Sequence, residues 1–185
     1  GLGRVGAQWL AKEMSGEGNI VVIEGMQIPI NKQRVDAFND VIAGYPNIKI
    51  LDSQPGDWST QKALAVMENF LQKHPKIDAV WCQDDDMLKG VLKAIEESGR
   101  TDIKTVLGGA GSKDIIEMIQ HSNKMVRATV TYSPSMIASG IALAVHGVKN
   151  EKLGYLYHEP SRVILGADLV TKENAAEYYF KDAAY

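Results

Sequence analysis

Five short runs rich in Val and Ile recur along the chain, separated by stretches with helical spacing, and this alternation limits the fold more than any other feature. The runs cover residues 19–25, 48–53, 78–83, 103–109 and 126–132. Continuous apolar runs of this length suit strands buried on both faces. The stretches between them carry apolar residues three and four apart, the stripe of a helix packed on one side. Residues 31–44 align Val35, Phe38, Val41 and Ile42, and residues 60–73 align Leu64, Met67 and Leu71. Residues 87–98 align Leu88, Val91, Leu92 and Ile95, and residues 113–121 align Ile115, Ile116 and Ile119. The strand runs begin about 23 to 30 residues apart, the length of one strand–helix unit with short loops. The order predicts an α/β fold: a Rossmann-like parallel sheet with helices on both faces and right-handed crossovers.

Local punctuation agrees. Tyr45-Pro46-Asn47 and His74-Pro75-Lys76 each close a helical stretch ahead of a strand run, because proline disfavours helix in the residue before it. Ser59, Thr60 and Ser112 offer helix-capping hydroxyls. A further helix is expected over residues 134–147, an extended segment over 155–170, and a short helix over about 172–180.

Composition narrows the function. The 185 residues are 45% hydrophobic and 23% charged, ordinary for a folded domain. The net charge of −3 gives no basic face for nucleic acid. A single cysteine, Cys82, excludes an internal disulfide and a cysteine metal cluster. The longest apolar stretch, residues 136–145, is too short to span a membrane. The chain opens on Gly1-Leu2-Gly3, without methionine or a signal-peptide pattern, so a part of the protein is expected upstream. His74, His121, His146 and His158 are scattered, with no base–nucleophile spacing. No catalysis, metal or cofactor is expected.

In open α/β sheets ligands sit beyond the carboxyl ends of the strands. That rule singles out residues 25–31, 53–58, 83–87, 108–112 and 132–135. These loops hold Trp58, the run Asp84-Asp85-Asp86, a glycine-rich turn and Tyr132, while Arg34 stands near the start of the adjoining helix. A flat aromatic face, a carboxylate acceptor and a forked guanidinium donor together suit a polyhydroxylated ligand. The plainer readings are a surface tryptophan and a solvated salt-bridging arginine. Of the three Asp residues, one is expected to face the ligand, one to cap the helix beginning near Met87, and one to be solvated. Trp81 and Cys82 lie inside a strand run and read as core, and Trp9 as helix packing.

The segment 48–87 closely resembles the sugar-binding proteins of ABC importers, the ribose-binding-like type I periplasmic binding proteins. The features that carry the resemblance are Ser53-Gln54-Pro55 ahead of Asp57-Trp58, then Val66-Met67-Glu68-Asn69, His74-Pro75, and Gln83-Asp84-Asp85-Asp86-Met87. The helix start from Asn31 to Phe38 resembles the family's N-x-x-R-x-x-x-F signature, and the likeness runs from about residue 5 to 145. It implies two lobes joined by crossovers with a sugar clamped between them. Residues 1–133 then correspond to the C-terminal ligand-binding lobe, 134–160 to a crossover and remnant of the other lobe, and 161–185 to a C-terminal strand and tail. The implied protein is monomeric, periplasmic or extracellular, free or lipid-anchored, and works with a transporter permease.

The resemblance also assigns residues. Arg34 matches the arginine that pairs with sugar hydroxyls or the ring oxygen, Asn31 shares its loop, and Trp58 matches a stacking aromatic. Asp84 falls where ribose-type relatives carry Asn, and Asp85 matches an acidic position with a structural role. Two departures stand out: Ala110, in Gly109-Ala110-Gly111, replaces a ligand-binding Asp, and Tyr132 replaces a Gln. One carboxylate lost and another gained implies a sugar or polyol unlike the simple pentoses. The same fold forms the effector-binding core of LacI-type regulators, which is the first alternative. The second is a nucleotide-dependent enzyme, since Gly1-Leu2-Gly3-Arg4-Val5-Gly6 matches the dinucleotide fingerprint with Glu24 about twenty residues on. That motif must follow a strand, and the plainer reading is a helix start whose small residues permit close packing.

Overall fold

A computed structural model describes residues 1–132, 136–153 and 163–183. Seven helices and six strands follow in this order among them: α1 Leu2–Glu13, β1 Glu17–Glu24, α2 Pro29–Ile42, β2 Asn47–Pro55, α3 Thr60–Lys73, β3 Ala79–Cys82, α4 Asp85–Ser98, β4 Thr105–Ala110, α5 Lys113–Gln120, β5 Val126–Thr131, α6 Met136–Leu153, β6 Leu169–Thr171 and α7 Ala175–Tyr178. The strands form one sheet in the order β2-β1-β3-β4-β5-β6.

The five expected strands pair in parallel, as their alternation with helices requires. The short β6 is the exception. It enters opposite Val130 and leaves opposite Ala128, antiparallel to β5. Its first residue lies at the carboxyl edge, where β5 ends, so it runs back along β5.

Each buried strand feeds two cores, because successive side chains point to opposite faces. Val21 and Ile23 of β1, Val80 and Cys82 of β3 and Val106 of β4 pack against α3, α4 and α5. Ile20, Val22, Ala79, Trp81 and Leu107 pack under α1 and α2. There Trp81 stacks on Phe38 with ring centroids 3.9 Å apart and planes 7° from parallel. The continuous apolar runs therefore reflect burial from both sides.

Several boundaries shift for local reasons. α2 starts at Pro29, two residues ahead of the expected stretch 31–44, because proline at the first helical position is pre-set for the helix and needs no N–H partner. α4 starts at Asp85 rather than near Met87, since Asp84 caps it. The extended segment expected over 155–170 lies partly outside the described residues, and its described end includes β6. The glycine-bearing start of α1 packs tightly on α2: a Cβ on Gly3 would stand 2.0 Å from the carbonyl oxygen of Arg34. Close helix contact therefore accounts for glycine at that position. α6 presents Ile137, Ile141, Val145 and Val148 to solvent. No helix among the described residues is long and apolar enough to cross a membrane.

Candidate ligand-binding site

Parallel strands deliver all their following loops to one edge. Trp58 follows β2, Asp84 follows β3, Ala110 ends β4 and Tyr132 follows β5, while Arg34 lies on α2 after β1. The structure gathers three of these into one cluster. The guanidinium carbon of Arg34 lies 5.2 Å from the centre of the Tyr132 ring, within cation–π range. Arg34 Nη1 donates to the carbonyl of Gln83 at 3.5 Å, at the end of β3 beside Asp84. Burial lowers the Arg34 pKa, while Tyr132 and Asp84 act to raise it. Guanidinium stays charged at any physiological pH.

Asp84 is 7% exposed. Its Oδ1 accepts from the Asp86 N–H at 2.9 Å and so caps α4. Burial raises its carboxyl pKa, opposed by the N–H groups of Asp86 and Met87 and by Arg34. The capping role expected of one Asp thus falls to Asp84, the residue beside Arg34. Asp85 turns inward and is fully buried, and Asp86 turns outward to pair with Lys89 at 3.2 Å. The three carboxylates diverge, and no group of three metal-ligating side chains occurs among the described residues.

Trp58 stands on the same edge, against the end of β1. Asp57 and Trp58 both adopt left-handed backbone, φ 53° and 55°. That conformation is strained for residues with a side chain and recurs at ligand clamps. The turn is held by the Asp57–Lys62 ion pair and by Ser59, which caps α3. The indole lies across Gly25, where a Cβ would come within 2.3 Å of Nε1. Only glycine lets the ring settle there.

Asn31 is a loop latch. Its Oδ1 accepts from the Gly25 N–H at 3.0 Å, and its Nδ2 donates to Glu24 at 2.8 Å. With 2% exposure and both ends of the amide engaged, it shapes the loop beneath Trp58. Ala110 is buried with φ 110°, an unusual value for a residue with a Cβ. It brings a methyl group to the end of β4, and no charge. Of the loop over residues 132–135 only Tyr132 is described; burial raises its phenol pKa, as does Asp84.

Two further residues shape this edge. Glu24 accepts from Ser53 Oγ at 2.6 Å as well as from Asn31 and Gln27, tying the end of β2 to the β1–α2 loop. Burial raises its pKa, but the bonds from Ser53, Asn31 and Gln27 prevail and lower it overall. Gln83 is fully buried, and no hydrogen bond to its side-chain amide is present among the described residues. Glutamate one residue before the strand-end glycine is a signal visible in sequence. A buried amide at the end of an apolar run is not. Two surface hollows, of about 410 and 370 Å³, lie elsewhere, one around Trp9, Glu13 and Arg127, the other along α5. Neither hollow includes Arg34, Asp84 or Tyr132.

Comparison with known proteins supplies the context. The family described as periplasmic binding protein domain matches residues 1–152. A D-apiose import binding protein of Paraburkholderia graminis is 30% identical over 94% of this chain and 54% of its own length. The D-allose-binding periplasmic protein of Escherichia coli is 31% identical over 92% of this chain and 55% of its own. The chain thus spans about half the length of these curated relatives. Among solved structures, a solute-binding protein of an ABC transporter from Actinobacillus succinogenes with bound D-allose superposes with TM-score 0.80. It is 28% identical and covers 95% of this chain, which covers 60% of it. The binding component of an arabinose transporter from Shewanella, bound to L-arabinofuranose, gives TM-score 0.82 at 32% identity, covering 95% of this chain and 58% of its own. With its parallel sheet, its strand-end face and a family match over residues 1–152, this chain belongs to the periplasmic binding protein domain family.

Proposed function

We propose that this chain forms the ligand-binding lobe of an extracytoplasmic solute-binding protein that captures a sugar or sugar-like polyol for an ABC transporter. The observation that carries the reading is the convergence of the Arg34 guanidinium, the Asp84 carboxylate and the Tyr132 ring at one strand edge. A hydroxyl can accept from the guanidinium and donate to the carboxylate at once, and charge-assisted bonds of this kind are the strong ones. The C–H face of a sugar stacks on Trp58. Nothing in this cluster pairs a nucleophile with a base, so the site holds its ligand without transforming it. The relatives named above are described as binding proteins, which supports this role over a regulator or a nucleotide-dependent enzyme.

In this proposal residues 1–133 are one wall of the cleft, residues 134–160 cross to a companion lobe, and residues 161–185 return to close the sheet. The exposed apolar side of α6 supports a crossover whose partner surface lies in that lobe. Ligand bridges the two lobes, the lobes close and exclude water, and the permease recognises the closed form. The protein acts as a monomer in the periplasm or outside the cell, free or lipid-anchored. The test is titration calorimetry of the complete protein with pentoses, hexoses and polyols, followed by product analysis. Saturable binding of one class with the ligand recovered intact is expected. Binding of none of them, or chemical conversion of the ligand, would overturn the proposal.

A further inference from the structure

β3 and β4 pair only as far as Trp81 and Leu107. β4 runs on to Ala110 paired with β5 alone, so the N–H groups on its β3 side beyond that point need other partners. Asp85 supplies them. Its Oδ1 accepts from the Gly109 N–H at 2.9 Å. Its Oδ2 accepts from the N–H groups of Gly111 at 2.9 Å and Ser112 at 2.7 Å. Thr129 Oγ1 on β5 donates as well, 3.1 and 3.3 Å from the two oxygens. One buried carboxylate thus joins the first residue of α4, the end of β4, the residue before α5 and the middle of β5. The approach is tight: a Cβ on Gly108 would lie 2.3 Å from Asp85 Oδ1.

Four donors converging on one carboxylate make a directional clamp rather than general packing. The residues it spans carry the ligand face. Asp84 directly precedes it, and Ala110, with its unusual backbone, sits between two of its donors. We propose that Asp85 is a positioning residue, whose carboxylate replaces the missing end of β3 and holds Asp84 and the Ala110–Ser112 turn in one fixed arrangement before ligand arrives. Its consequence for affinity rests on the functional reading above; its effect on the loops does not. Pre-formed loops remove an ordering cost from binding.

The experiment compares Asp85→Asn and Asp86→Asn in the complete protein by backbone amide exchange and sugar calorimetry. Asn keeps the shape of Asp85 but sets an NH2 group against backbone N–H donors. Exchange at Gly109, Gly111 and Ser112 should accelerate at least roughly tenfold, with Val21 and Val22 unchanged, and affinity should fall roughly 10- to 100-fold, as for loss of hydrogen bonds to a charged group. Asp86→Asn should match wild type in both. Should Asp85→Asn fail to fold, Thr129→Val and Thr129→Ser decide: the first should speed exchange at the same three amides, and the second, which keeps the hydroxyl, should not. Unchanged exchange at those amides, an even rise across the sheet, or unaltered affinity with a freed turn would each overturn the inference. If wild type binds no sugar, the functional reading falls with the affinity arm, while the exchange arm still decides whether the carboxylate ties the loops.

Discussion

The Arg34 guanidinium lies over the Tyr132 ring, its carbon 5.2 Å from the ring centre. The two residues are almost a hundred positions apart in sequence, and only the parallel sheet brings them together. The guanidinium has five donors, and its bonds to the Gln83 carbonyl and to Tyr132 leave hydrogen-bonding capacity for a ligand.

Arg34→Ala should weaken sugar binding by about 1–3 kcal/mol, the loss of a charged hydrogen-bond donor. Arg34→Lys should recover little of this, because an ammonium lacks the planar fork. Tyr132→Phe should bind nearly as wild type, because it keeps the ring face beside the guanidinium. Calorimetric affinities of the three variants check the ordering, and wild-type affinity in both Arg34 variants would remove Arg34 from the site.

Trp58→Ala should lower affinity by about 1–3 kcal/mol through loss of its stacking face. Gly25→Ala should act on the same property from beneath, since the new methyl enters the space of the indole. Its expected signature is a changed tryptophan emission together with weakened binding. A Gly25→Ala protein with wild-type emission and affinity would show that the ring does not rest there.

Asp84→Asn separates two roles. Asn caps a helix about as well as Asp, so the melting temperature should hold within a few degrees. Ligand affinity should fall by about 1–2 kcal/mol, because an amide oxygen is a weaker acceptor than a carboxylate. A ligand panel run against both forms should show altered preference. A large melting shift with unchanged affinity would make Asp84 a cap alone.

Asp102 and Asp52 should both contribute to the acid limb of the stability curve, alongside Glu24. Hydrogen bonds from Arg100 hold Asp102 well below the usual carboxylate range, with the Ile77 N–H assisting. Burial acts to raise Asp52, but bonds from Lys73, Gln54 and His74 prevail and lower it to about 2. Both folded pKa values lie below the unfolded ones. Their stabilisation is therefore complete above the unfolded carboxylate value near 4 and is lost as pH falls toward 2 and below. Asp102→Asn should flatten that limb in denaturant melts taken between pH 5 and pH 2, and an unchanged slope would count against it.

Much of the scaffold can be read from the chain alone, because burial on both faces writes long apolar runs and helical stripes directly into sequence. The five parallel strands and α2 to α5 follow from that code, as does the edge where Arg34, Asp84 and Tyr132 gather. β6 does not: it has three residues, and its direction depends on where the preceding segment emerges. Nor does the engagement of Asn31, whose amide partners are a backbone N–H and Glu24, set by loop geometry. The inward turn of Asp85 and outward turn of Asp86 depend on where β3 stops, which neighbouring composition does not record. Pairwise contacts across strand ends are tertiary facts, and periodicity is blind to them.

The latches at the strand ends, Asn31 with Glu24 and Asp85 with Thr129, rest on the buried side chains of Asn31, Asp85 and Thr129. Asn31 and Asp85 tie the loops together, whereas Asp84 both caps α4 and stands beside Arg34. Under the proposed function, exchanging Arg34, Trp58 or Tyr132 should change which small molecule is preferred, while the inward set keeps the same loops in place for each new choice.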